Sequence, residues 1–252
     1  MNIKTISALT LACSAAVATQ AQVIDPLNGN GGISYTTYLV NDGSGGAGDG
    51  VSFTQGGSGL TANYVGGAAF AEQALYLAPV TAFSTAFVVG DTLEISVAQP
   101  ASSQAEDIGL AISGSNPVAG SRTAFDWASV SVRPSLTSIR NNSDVSGALV
   151  TGANVINGVA PTSVSALYIQ WVSADVFNLG YIDTSSVQHQ SASVTFNAGS
   201  SIGSEIGIYG DLRAVGNSLG PVSNLTIVPE PSTLALCGMG FAGLVGLARR
   251  KK

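Results

Sequence analysis

Through the middle of the chain apolar side chains recur at every second position, in short runs broken by Gly, Ser, Asn and Pro. Leu93-Glu94-Ile95-Ser96-Val97 shows the pattern most cleanly. Its apolar residues fall on one face of an extended chain and its polar ones on the other, as a half-buried antiparallel strand requires. The same reading predicts strands at 33–40, 93–97, 108–112, 130–132, 167–172, 194–196, 206–209 and 225–227. Only 68–77 also admits a helix, with Phe70, Ala74 and Leu77 at i, i+4 and i+7, and the pattern there is ambiguous. No repeat of fixed period is visible, which argues against a propeller or solenoid. Strands in such number without helices between them must pair into sheets that cover each other's apolar faces. The expected fold is therefore all-β: an antiparallel, jelly-roll-like β-sandwich over residues 22–228, of about ten to fourteen strands at the usual strand length.

The two ends break this pattern. Lys4 followed by the apolar, small-residue run 6–17 reads as a secretory signal over residues 1–21. Cleavage is expected after Ala21, with Ala16 and Ala18 forming an alternative small-residue pair three positions earlier. At the other end 232–248 carries no charge, close to the ~17-residue minimum for a membrane-spanning helix. Arg249, Arg250, Lys251 and Lys252 follow at once and favour a cytoplasmic C-terminus. Before the run stand Pro229, Glu230 and Pro231. Two prolines hold the backbone extended, Pro231 can open a helix, and Glu230 then sits where a helix N-terminus favours an anion. Such a strip suits recognition by a processing enzyme that binds an extended strand.

Pro229-Glu230-Pro231, the glycine-containing apolar segment and the terminal cations, in that order, resemble the PEP-CTERM sorting signal of bacteria that carry an exosortase. The resemblance covers 229–252. It implies processing by an exosortase after export by the Sec machinery, an inner-membrane-anchored precursor, and a final place at the cell surface or in an exopolysaccharide matrix. A second resemblance is confined to 206–211 and 222–227, Ile-Gly-Ile-Tyr-Gly-Asp and Val-Ser-Asn-Leu-Thr-Ile, which look like the closing strands of concanavalin-like and laminin-G sandwiches. It implies sugar recognition as an activity class.

Charge and composition narrow the chemistry of the middle region. It holds four arginines (Arg122, Arg133, Arg140, Arg213) against fourteen acids, a net of −10, so the clustered cations that bind nucleic acid are missing. Both cysteines, Cys13 and Cys237, lie in the terminal apolar runs, which removes disulfides, thiolate nucleophiles and Cys-ligated metals from the domain. His189 is the single histidine; between Gln188 and Gln190 it reads as part of an exposed loop, and no nucleophile motif accompanies it. Glycoside hydrolysis needs two carboxyl groups across the scissile bond. Glu106 and Asp107 are adjacent and would face opposite ways on a strand, while Glu94, Glu205 and Asp211 are isolated and read as solvated surface acids. No catalytic residue and no cofactor is expected. The Gly-rich segment 41–50 reads as a flexible loop, with Asp42 and Asp49 as a minor Ca²⁺ candidate. Tyr35, Tyr38, Tyr64, Tyr76, Trp127, Trp171 and Tyr181 are expected mostly in the core, the remainder serving as platforms for sugar rings.

The expectation is thus a non-enzymatic surface or matrix protein with a structural or carbohydrate-binding ectodomain. The competing expectations are a polysaccharide hydrolase built on dispersed carboxylates and a plain single-span anchored surface protein. Exopolysaccharide is the expected partner of the domain, and an acidic polymer is expected to need Ca²⁺ as a bridge to so acidic a protein.

Overall fold

A computed structural model describes residues 20–41, 49–67, 71–98, 104–114, 117–118, 123, 125–145 and 147–230. The chain divides into two compact units, Gln22–Ile227 and Met1–Ala21 with Val228–Lys252. The second lies almost wholly outside the described residues, so the expected signal helix and the expected span 232–248 do as well. No helix among the described residues is long and apolar enough to cross a membrane.

Gln22–Ile227 is an antiparallel β-sandwich with fifteen described strands. One sheet, A, has eight: β1 (Gln22–Asp25), β3 (Gly50–Gly56), β4 (Gly59–Val65), β6 (Thr92–Val97), β11 (Val164–Ser173), β12 (Val176–Asp183), β13 (Gln188–Thr195) and β15 (Ser218–Val228). They run in the order β13-β12-β11-β6-β15-β4-β3, with β1 also paired to β15. The other sheet, B, has seven: β2 (Thr36–Asn41), β5 (Glu72–Pro79), β7 (Asp107–Ser113), β8 (Trp127–Arg133), β9 (Ser138–Val145), β10 (Ala148–Asn157) and β14 (Glu205–Leu212), in the order β10-β9-β8-β7-β14-β5-β2. The strand count exceeds the expected range by one, because several hairpins close through two residues, as at 57–58 and 174–175, and leave more chain for strands.

The main core lies between the sheets. Leu93, Ile95 and Val97 of β6, Leu167 and Ile169 of β11, and Phe177 and Leu179 of β12 meet Ile108, Leu110 and Ile112 of β7 and Ile206, Ile208 and Leu212 of β14. Each such side chain, fully buried, contributes about 1.5–3 kcal/mol. Every strand predicted from alternation lies wholly or largely in one of these elements. Sheet B differs from the simple case because its central strands are buried on both faces. On its far side Val40, Leu75, Leu77, Ala111, Phe125, Trp127 and Tyr209 form a second, smaller cluster.

That two-sided burial settles the ambiguity at 68–77. Residues 72–79 are a strand, β5, with Ala74 and Ala78 in the main core and Leu75 and Leu77 in the second cluster. A strand covered on both faces loses its alternation, which is what let a helical spacing emerge by coincidence. Residues 68–70 lie outside the described residues.

Candidate functional site

Leu167, Ile169 and Trp171 alternate onto the core face of β11. Trp171 is the last of them, where the strand leaves the sandwich, and it is paired across the hairpin with Phe177, the first inward residue of β12. The indole packs against the core there and stays partly exposed. Its ring centroid lies 5.2 Å from Phe177 and 5.3 Å from Phe87. An open cleft of about 420 Å³ begins at this wall and is lined also by Val80, Asp175, Ser201, Gly203 and Ser204.

Three connections build the cleft, and each is tied down by backbone hydrogen bonds. In the turn before β6, Gly90 N–H donates to Trp171 O (2.7 Å), Trp171 N–H to Asp91 O (2.9 Å) and Val88 N–H to the Asp91 carboxylate (3.0 Å). In the β11–β12 hairpin Asp175 O accepts from Phe196 N–H (2.8 Å). In the loop before β14, Gly203 N–H donates to Ser113 O (3.0 Å) and Ser204 O accepts from Val80 N–H (2.8 Å). Gly203 has φ +83°, and a Cβ there would stand 3.2 Å from Trp171 Cζ3. Only glycine adopts that backbone cheaply while letting the loop lie against the ring. The result is an aromatic wall in a cleft that Asp175, Ser201 and Ser204 also line, the Ser204 hydroxyl donating to Ser201 O. The indole Nε1–H is buried and has no hydrogen-bond partner among the described residues. A mostly apolar concavity with a few fixed polar groups is the usual make-up of a small-ligand site.

A second constellation lies on the outer face of sheet B. Asp107 of β7 and Asp211 of β14 stand directly opposite each other. Arg133 of β8 donates through Nε and Nη2 to both Asp107 oxygens (2.5 and 2.6 Å) and through Nη2 to Asp211 (3.3 Å). Arg213 bonds Asp211 through Nη2 (3.1 Å), and Arg140 approaches Asp107 at 3.9 Å. Three of the domain's four arginines thus converge on two carboxylates that are each 1 % exposed, while Arg122 lies outside the described residues. Burial pushes the Asp107 carboxyl up, to about 6, against the pull of Arg133 and with the help of Asp211. Glu106 accepts from Asn217 Nδ2 (2.9 Å) and Arg213 N–H (3.1 Å). The reading of Asp211 as a solvated surface acid is therefore corrected, and Glu106 and Asp107 are buried as well. Apart from Arg213, two residues from Asp211, their partners lie 26 to 111 residues away, beyond the reach of local sequence.

His189 also departs from the loop reading. It lies on β13, the edge strand of sheet A, stacked on Tyr181 (4.7 Å) with Nε2 2.9 Å from Asp183 Oδ2. An edge strand with an exposed face can be polar at most positions, which is why 188–190 looked like a loop. The bond from His189 holds the Asp183 carboxyl below the usual range. Asp49 accepts a hydrogen bond from Gly67 N–H (3.1 Å), whereas Asp42 lies outside the described residues. Of the aromatic candidates, Tyr35 and Tyr76 stack at 4.7 Å beside Phe53, Trp127 and Tyr209 stack at 6.0 Å on sheet B, and Trp171 alone lines the cleft.

Ala21 is exposed immediately before β1. Pro229 and Glu230 follow β15 without regular structure, Glu230 exposed, while Pro231, Arg249, Arg250, Lys251 and Lys252 lie outside the described residues. Gln22 pairs with Ile227 and its side chain accepts from Thr85 Oγ1 (2.6 Å), two residues from Phe87. The end of β15 is therefore at the same end of the sandwich as the cleft.

Residues 228–252 match the PEP-CTERM protein-sorting motif. A PEP-CTERM motif implies an exosortase as sorting partner and an exported, membrane-anchored precursor. No curated protein matches the chain in sequence. Among solved structures, a protein of unknown function from Shewanella oneidensis MR-1 is similar at 12 % identity and TM-score 0.40, over 90 % of this chain and 93 % of that one. The lectin from Bauhinia forficata in complex with GalNAc is similar at 10 % identity and TM-score 0.41, over 77 % and 97 %. Lectin I from Ulex europaeus, in complex with the methyl glycoside of α-L-fucose, is similar at 11 % identity and TM-score 0.40, over 77 % and 96 %.

Proposed function

We propose that this is an exported protein which an exosortase sorts through its PEP-CTERM motif to the cell surface or an exopolysaccharide matrix, where the Gln22–Ile227 sandwich binds saccharide without transforming it. The observation that carries the binding half is the cleft: a partly exposed Trp171 beside a carboxylate and hydroxyls, on loops already held in place. Sugar rings present apolar C–H faces edged by hydroxyls, and an aromatic wall with fixed acceptors and donors suits both. The sorting half is supported by the motif at 228–252 and by the leader read over 1–21. Sec export, cleavage after Ala21 and a span at 232–248 belong to the same proposal.

One observation favours the hydrolase reading, the Asp107–Asp211 pair across adjacent strands. Arg133 stands between the two and bonds both, and both are buried, so the pair is better suited to holding three strands together than to cleaving a glycan. Retention of the protein on its host's own exopolysaccharide tests the proposal. Wild type is expected to be retained and Trp171→Ala to elute early, with the polymer's length unchanged. Release of shortened glycans would establish the hydrolase instead, and no retention at any salt concentration would leave the sandwich a structural role.

A further inference from the structure

Of the ten described residues that line the cleft, one is ionisable, Asp175, and none is a cation. The domain's described arginines are committed elsewhere. Arg133, Arg140 and Arg213 gather about Asp107 and Asp211. Asp107 opens β7, whereas the cleft meets the other end of that strand, where Ser113 O accepts from Gly203 N–H. Six steps at ~3.3 Å put about 20 Å between the cations and the cleft. That exceeds the ~8 Å screening length at physiological salt, so the arginines lend the cleft almost no positive potential. What lies near it is acidic: Asp175 on the rim and Glu205 next to Ser204.

The apolar side of the site is larger than the indole. Val80, Phe87 and Ile202 line the cleft together with Trp171 and make up its apolar side. A surface of this kind gains from the C–H face of a ring and, among the described residues, offers an anionic substituent no cation.

We infer that the ligand of the Trp171 cleft is an uncharged saccharide chain, and that Asp175 both accepts its hydroxyl hydrogen bonds and excludes uronate and sulfated sugars. The inference rests on the reading of the cleft as a saccharide site. It also replaces, for this site, the expectation of an acidic polymer bridged by Ca²⁺: binding here needs no cation, so a chelator leaves it unchanged.

Calorimetric titration of the exported protein with two panels tests this. One panel is neutral hexasaccharides (β-glucan, mannan, xylan and galactan oligomers), the other oligogalacturonate and oligomannuronate, each with and without EDTA. At least one neutral oligomer is expected to bind at least tenfold more tightly than either uronate, with EDTA without effect. Asp175→Asn is expected to weaken the neutral ligand several-fold and to narrow its margin over uronate. Trp171→Phe, which keeps an aromatic in the core, is expected to weaken it while the melting temperature holds. Uronate bound as well as any neutral oligomer, in a manner lost with Trp171→Phe, would overturn the inference and leave the saccharide reading standing. Loss of neutral binding in EDTA would overturn it too. Absence of binding by every member of both panels would sink the saccharide reading itself.

Discussion

Trp171 serves both the core and the cleft, as the last inward residue of β11. Gly203 is its counterpart: at φ +83° with the ring 3.2 Å from a would-be Cβ, it lets the loop lie on the indole. Gly203→Ala is expected to cost about 1–2 kcal/mol, from the left-handed backbone and the displaced ring together, and to weaken saccharide binding at least as much as stability. Chemical denaturation alongside titration separates the two effects. At the opposite end of sheet B the residue that matters is Arg133. Removing its guanidinium leaves Asp107 and Asp211 buried and facing each other, so Arg133→Leu is expected to destabilise the domain by about 3–5 kcal/mol. Asp107 also sets a pH dependence. Its folded pKa, about 6, stands above the unfolded carboxylate value, so the folded state holds the proton more tightly. The penalty for an ionised, buried Asp107 is then fully present above pH 6 and is relieved as pH falls from about 6 toward 4. Asp183 works the other way and in a lower window, since its depressed pKa supplies stability that is lost only as pH falls through the acid range below 4. Melting temperature is therefore expected to rise between pH 7 and pH 5, and in Asp107→Asn that rise is expected to shrink, with burial-raised Glu94, Asp144 and Glu205 left to contribute in the same direction.

Among the elements, the strands most legible in sequence are those with one wet face or a continuous apolar run. Leu93 to Val97 alternates because β6 has intermediate positions between its core residues, and 108–112 is unmistakable because β7 is buried throughout. What stayed hidden was sheet B's second face. Gly109, Ala111, Ser129 and Ser131 look like turn or surface vocabulary, yet all lie on buried strands. On the same sheet Trp127 and Tyr209 stack on each other from strands two apart, with Tyr209 directly opposite Gly109. Gly109 shows how tight that layer is, since a Cβ there would fall against Val130 O of β8. Gly109→Val is expected to prevent β7 and β8 from pairing and to leave the domain insoluble or unfolded, which far-UV circular dichroism and solubility would report. The cleft was half legible. Trp171 stood among the aromatic candidates, but nothing local distinguished it from Trp127; Asp175 is near it in the same hairpin, whereas Phe87 and Gly203 join it only through loops distant in the chain. Of the arginine cluster only Asp211 and Arg213 are neighbours in sequence, and Asp107, Arg133 and Arg140 join them through strand register.

On the scale of the whole molecule, function is written at two levels of legibility. The sorting motif is contiguous and could be read from three ordered features within 229–252, whereas the proposed binding cleft is assembled by the fold. Intact-mass measurement of the exported protein is expected to show a species lacking both the leader through Ala21 and the terminal residues Arg249 to Lys252. A mature species that still ended in Lys252 in an exosortase-bearing host would instead describe a plain membrane-anchored protein. The binding claim has a built-in reporter, because the protein contains two tryptophans, Trp127 fully buried on sheet B and Trp171 in the cleft. The most direct test is tryptophan fluorescence of the Trp127→Phe variant, in which Trp171 is the sole indole, titrated with the host's exopolysaccharide. The expected result is a saturable change in intensity and emission maximum that Trp171→Phe lacks; polysaccharide retained by the protein with no change at Trp171 would contradict the cleft as the binding site.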